Sequence, residues 1–411
     1  MVRFTEQTLP NGLHVIVHED HNTPLVCLNL LYKVGSRNEL PHKTGFAHLF
    51  EHLMFGGSKH IKNFDEPLQA VGGENNAFTN TDITNYYVTI PSANVETAFW
   101  LESDRMLSLS FDPEVLEVQR KVVIEEFKQR YLNQPYGDIW LKMRPVAYQK
   151  HPYQWPTIGK EISHIEEATM SDVKSFFETH YHPGNAILVI AGDITEHKAL
   201  ELTNKWFGEI PGKPNQSQEI VAEPKQEEAR HLEINADVPA DALYKTYHMP
   251  SRVDKAYHAA DLLSDLIGRG NSSVLHQELV KNNPMFSSLS SYVTGSYDPG
   301  LLVISGKLLP GVDMREADQA VQNLIEPMKK NIDDSLVEKV RNQAEATTVF
   351  AEVDLLNRAM GLAYANFLGD TNLVNDEIGM IKSVTADDIV AAANDILNEK
   401  NCTTLYYNAE K

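Results

Sequence analysis

Apolar and polar residues alternate through LHVIVHE (Leu13–Glu19), directly after an Asn11–Gly12 pair. That combination predicts a hairpin turn leading into a half-buried strand. The nearly unbroken apolar run PLVCLNLLYKV predicts a second strand. GGENNAFTNTDITNYYVTI, rich in Thr and Tyr, predicts a strand behind a glycine turn. Helical spacing of apolar residues follows around 94–108, 113–131 and 171–180. The stretch Gly208–Arg230 is rich in Pro, Gln, Glu and Lys, lacks periodicity, and reads as a linker.

The halves on either side of that linker resemble each other. SDVKSFFETHYHPGNAILVIAG, from Ser171, can be laid on DDIVAAANDILNEKNCTTLYYN, from Asp387, which pairs Asn185 with Asn401. AHLFEHLMFGGS, from Ala47, can be laid on ADLLSDLIGRGNS, from Ala260. There His48, Glu51 and His52 become Asp261, Ser264 and Asp265. The pattern predicts a duplicated domain: residues 1–209, a linker at 210–230, and a second copy at 231–411 without the histidines.

Composition narrows the function. A chain of 411 residues is too long for one ordinary core, consistent with two domains. Its formal net charge of −21 argues against nucleic acid, which needs a basic surface, and suits cationic peptides better. The two cysteines, Cys27 and Cys402, allow no disulfide framework and no paired-cysteine metal site. No apolar run reaches the roughly 18 residues that span a membrane, so no membrane partner is expected. MVRFTEQTLPNG at the N-terminus lacks a signal-peptide core. The expected location is therefore cytoplasmic, or periplasmic if an export signal has been trimmed.

The chemistry concentrates in AHLFEHLMFGG. On a helix, His48 and His52 are one turn apart on one face, and Glu51 reaches the same face. Two neutral imidazoles suit zinc, and a catalytic zinc takes a third protein ligand plus water. RKVVIEEFKQR, Arg120–Arg130, offers Glu125 and Glu126. Glu126 is placed three and four residues from Val123 and Val122, on their apolar face, whereas Glu125 follows Lys121 toward solvent. Periodicity therefore favours Glu126. Neither a nucleophile elbow nor a phosphate-binding loop is present. His180–His182 reads as a surface turn, and His151 as a structural or solvated loop residue.

HxxEH inverts the HExxH zinc motif. Together with GGENNAFTNTDITNYY, RKVVIEEF, TLPNGLHVIV and HYHPGNAILVIAGDI, in that family's order, it resembles the pitrilysin, insulysin and mitochondrial processing peptidase family along nearly the whole chain. The resemblance implies an α+β fold of two homologous domains, each a mostly antiparallel sheet packed with helices. It implies one Zn2+ per chain on His48, His52 and Glu126, the last 74 positions after His52, with Glu51 as general base. Asn76, Ala77, Phe78 and Thr79 match the strand to which the family adds its peptide substrate as an extra edge strand. The implied activity is endopeptidase cleavage of short unfolded peptides inside a closed chamber. The alternative is a non-catalytic peptide-binding or scaffold subunit.

Two positions depart from the family pattern. A glutamate that supports the ligand from seven residues upstream is replaced by Gln119. An arginine and a tyrosine that hold substrate and oxyanion fall, in HQELVKNNPMFSSLSSY, on Val280 and Ser287, with Lys281 and Tyr292 nearby but out of register. Since the family's chamber uses four such domains, a dimer is implied. A heterodimer with a zinc-less homologue would supply the missing Arg and Tyr.

Overall fold

The computed structural model describes residues 1–214 and 219–410. The chain divides into two compact units, and neither is a continuous segment. The first comprises Met1–Leu132, Trp155–Val221 and Phe350–Asp376; the second comprises Asn133–Gln154, Ala222–Val349 and Glu377–Lys411.

The first unit is built on a six-stranded sheet of β1 (Thr5–Thr8), β2 (His14–Glu19), β3 (Leu25–Tyr32), β4 (Glu74–Thr79), β5 (Thr84–Pro91) and β6 (Ala186–Gly192). The order is β1-β2-β6-β3-β5-β4, antiparallel except between β2 and β6. β3 and β6 are buried at almost every position, because helices cover both faces of the sheet centre. The reciprocal amide bonds of Asn29 and Asn85, at 2.9 and 2.8 Å, satisfy two polar side chains inside this core. The strand expected behind the glycine turn is two strands, β4 and β5. The Asn80 side chain accepts from the N–H groups of Asp82 and Ile83 and folds the chain back between them.

The second unit holds β7 (Arg230–Ala236), β8 (Ala242–His248), β9 (Phe286–Val293), β10 (Leu301–Leu308) and β11 (Cys402–Ala409). Their order, β7-β11-β8-β10-β9, repeats β2-β6-β3-β5-β4, with the one parallel pair at the same place. Local details repeat as well. Thr169 and Thr385 each form a capping box, with Asp172 and Asp388. The Asn185 and Asn401 amides each donate, at 2.9 Å, to the carbonyl five residues before them.

The continuous boundaries expected from sequence differ from these units because two helices change sides. Leu355–Phe367, from the second half, packs against β3 and β6 through a face that buries Ala359, Leu362 and Ala363. Ile139–Ala147, from the first half, packs against β7 and β11, burying Ile139 and Met143 against Ala242, Leu405 and Tyr407. Of the expected linker, Asn215–Gln218 lie outside the described residues. Its later part is anchored in the second unit, where the Glu223 carboxylate accepts from the N–H groups of Gln149, Lys150 and His151.

Candidate metal centre

The motif lies on the helix Phe46–Leu53. Phe46, Ala47, Leu49, Phe50 and Leu53 are buried, which turns His48, Glu51 and His52 together to the opposite, partly open face. An aromatic bed fixes the buried face. The Phe50 ring lies 4.8 Å from Phe176 and 5.1 Å from Tyr181, where it stacks. Tyr181 in turn meets Tyr32 at 4.6 Å. This corrects the reading of His180–His182 as a surface turn: Tyr181 and His182 are buried. His151 is also buried, with Asp298 at 3.1 Å from its Nε2, and serves the second unit's structure.

The third residue comes from the helix Pro113–Phe127, which packs against the motif helix. Asp112 caps it, accepting from Glu114 N–H at 2.8 Å, with proline in its first turn. Val123 is 1% exposed, but Val122 is 44% exposed, so only Val123 shares the inward side expected for Glu126. Glu126 sits at the border of that face, where it meets both the imidazoles and solvent. Glu125 points outward and pairs with Lys128 at 2.7 Å.

Glu126 Oε2 is 3.6 Å from His48 Nε2 and 3.5 Å from His52 Nε2. All three donor atoms lie within 4.8 Å of one another. Tetrahedral ligands bonded to zinc at about 2.1 Å stand about 3.4 Å apart, so the donor types and the two distances from Glu126 fit the ion. Burial holds His48 well below the usual imidazole value, at about 4. Its nitrogen lone pair is therefore available at neutral pH. Hydrogen bonding from His52 holds Glu126 below the ordinary glutamate value, favouring the carboxylate.

Glu51 has its own environment. Burial raises its pKa, and Thr79 Oγ1 donates to Glu51 Oε2 at 2.6 Å. Thr79 ends β4, the last strand in the sheet order, so the outer side of β4 has no partner strand among the described residues. Along β4 the exposed Glu74, Asn76 and Phe78 alternate with the less exposed Asn75, Ala77 and Thr79. Of the four residues matched to substrate addition, Asn76 and Phe78 thus share one face, Ala77 and Thr79 the other.

Gln119 is half-buried, and no hydrogen bond to its side chain is found among the described residues. The support for Glu126 comes instead from Arg130, which binds its other oxygen, Oε1, at 2.8 Å. Arg130 lies in the π-helical turn Lys128–Leu132 that extends the glutamate helix. Its spacing of four residues from Glu126 was the available signal. In the second unit, Val280 is partly buried against the core, and Ser287 on β9 donates to Lys307 O at 3.1 Å. Lys281 is exposed, and Tyr292 is on the same strand as Ser287.

Residues 14–160 match the family model described as Insulinase (Peptidase family M16), and residues 167–344 match Peptidase M16 inactive domain. The zinc protease PqqE of Helicobacter pylori is 31% identical over 408 residues, spanning 97% of this chain and 91% of that protein. The crystal structure of a protease from Helicobacter pylori superposes with a TM-score of 0.94 at 29% identity, covering 99% of this chain and 100% of that one. The peptidase M16 inactive domain from Pseudomonas fluorescens shares the fold, with a TM-score of 0.90 at 18% identity over 100% of this chain and 98% of its own.

Proposed function

The chain belongs to the insulinase family of peptidases, M16, and from that membership we propose that it is a zinc-dependent endopeptidase acting on short unfolded peptides. His48, His52 and Glu126 hold one zinc ion, and Glu51 is the general base. The observation that carries this reading is the convergence of the three donor atoms within 4.8 Å, with Glu51 on the same helix face. When bound, zinc supplies a Lewis acid that polarises a carbonyl and brings the pKa of water to about 7.

The protein groups divide the remaining work. Glu51 takes the proton of the attacking water and returns it to the leaving amine nitrogen. The Thr79 hydroxyl, which donates to its Oε2, orients it. Arg130 steadies Glu126 through the oxygen that does not face the imidazoles. Asn76, Ala77, Phe78 and Thr79 receive the peptide along the outer edge of β4, where it adds as an extra edge strand. Only an extended segment can pair this way, which selects unfolded substrates.

The lack of an arginine at Val280 and a tyrosine at Ser287 supports a heterodimer in which a zinc-less homologue supplies both. A purely non-catalytic scaffold has no need of three converging donors beside a half-buried glutamate. The test is cleavage of a mixed pool of unstructured peptides, with Glu51→Gln as the blank. The reading expects cleavage by the wild type, alone or with its partner homologue, and none by Glu51→Gln at equal zinc content. Equal cleavage by both would overturn the assigned base, and abundant cleavage by the chain alone would overturn the need for a partner.

A further inference from the structure

The motif helix begins in an unusual way. The first turn of a helix leaves N–H groups without intrahelical partners, and Ser, Thr, Asp or Asn usually caps them. Here the cap position is Gly45, with φ of +88° and no side-chain hydrogen bond. A Cβ at Gly45 would stand 2.7 Å from the carbonyl oxygen of Ile158, so no capping side chain fits. The acceptor comes from six residues upstream. Glu39 Oε2 accepts from Gly45 N–H at 2.9 Å, and Glu39 Oε1 accepts from Ala47 N–H at 2.8 Å. A short bridge between Leu40 and Lys43 turns the chain so that Glu39 comes back alongside the helix start. Glu39 is 4% exposed.

Burying a carboxylate is costly unless it is well bonded, so its presence asks for a reason. The fold itself does not demand it. The corresponding helix of the second unit, Tyr257–Gly268, starts at Ala256 with no side-chain cap. There the exposed Asp254 accepts from Ala256 N–H through its side chain at 3.3 Å and from Tyr257 N–H through its carbonyl at 3.0 Å. That helix is longer and almost wholly buried, so packing holds it along most of its length. The motif helix has eight residues and must leave one face open for His48, Glu51 and His52. It lacks the packing that fixes its counterpart, and His48 lies directly after Ala47, one of the two bonded residues.

We propose that Glu39 is a positioning residue for the metal centre: its hydrogen bonds to the Gly45 and Ala47 N–H groups fix the first turn of the motif helix and hold His48 in place for the ion. This rests on the reading of His48, His52 and Glu126 as a zinc site. Groups that orient metal ligands from behind change metal affinity by about 10- to 100-fold when removed. Glu39→Ala falls in that range. Glu39→Gln, which keeps one accepting oxygen and turns an NH2 toward the other N–H, loses about tenfold. Asp254→Ala, the matched change in the second unit, leaves zinc affinity unaltered.

The experiment is zinc binding by the full chain, stripped of metal and titrated against a chromogenic chelator. Circular dichroism on the same samples gives the folded fraction, and hydrogen exchange reads the Gly45 and Ala47 amides. Weakened zinc binding by folded Glu39→Gln, with faster exchange at those two amides, is the expected result. A folded Glu39→Gln that binds zinc as the wild type does would overturn the proposal and leave the metal reading standing. A wild type that takes up no zinc would overturn the metal reading and this proposal with it.

Discussion

The two units share a strand order, two capping boxes and a pair of matched asparagines, yet they differ completely at one helix. In the first unit that helix presents His48, Glu51 and His52 to a glutamate on a neighbouring helix. In the second, the sequence correspondence puts Asp261, Ser264 and Asp265 at those positions. Ser264 hydrogen-bonds Ser291 of β9 at 2.9 Å, as Glu51 bonds Thr79 of β4. Asp265 pairs with Arg269 at 3.1 Å, while burial beside Asp265 pushes Asp261 up to about 6. The contrast separates what builds the fold from what builds the site. Strand order and helix packing survive the loss of every ligand, and the site is a graft of a few side chains on one copy.

Matched substitutions test that separation. The largest effect is expected in the aromatic bed: Phe50→Ala should cost about 3–5 kcal/mol of stability, and Leu266→Ala in the second unit about 2–5 kcal/mol. Denaturant titration measures both, and only Phe50→Ala should also weaken zinc binding. If Leu266→Ala weakened it equally, the site would depend on the whole fold. Arg130→Ala should lower zinc affinity about tenfold with little change in melting, read by chelator competition. Asn185→Ala and Asn401→Ala should each cost about 1–2 kcal/mol, and sharply unequal values would break the correspondence between the two copies.

The smallest effect is a displaced titration. Burial raises the Glu51 pKa, and the base must be ionised to act. In the metal-free chain the Glu51 carboxyl should therefore titrate above the ordinary 4.5 of a glutamate, read by NMR of the labelled side chain. The sign for stability is opposite. A carboxyl raised in the folded state favours folding at low pH and loses that contribution as pH rises through its raised value. Titration at the ordinary glutamate value in the metal-free chain would show that burial does not govern Glu51.

Much of this was legible beforehand. The Asn11–Gly12 turn, the alternating β2 and the apolar β3 follow from local chemistry, and the family resemblance and the two-domain α+β fold are borne out. The duplication was visible because Asn185 and Asn401 make the same local hydrogen bond, so sequence spacing preserved it. Other features were not legible. Periodicity shows which face of a helix is apolar but not which sheet that face will meet, so the exchange of Ile139–Ala147 and Leu355–Phe367 between units stayed hidden. The hairpin at Asn80 was concealed within one β-rich run, since its turn depends on a side-chain hydrogen bond. Val122 was placed inward because helix spacing alone does not give the width of the buried stripe. Glu39 lies in a loop outside the motif, and only the folded chain brings it to Gly45 and Ala47.

The central claim is that the first unit, through three named ligands, is where metal binds. Native mass spectrometry of the zinc-equilibrated chain tests it most directly, comparing the wild type with His48→Ala and Glu126→Ala. The account predicts one zinc per wild-type chain and none retained by either variant. Zinc held equally by all three, or by none of them, would contradict it.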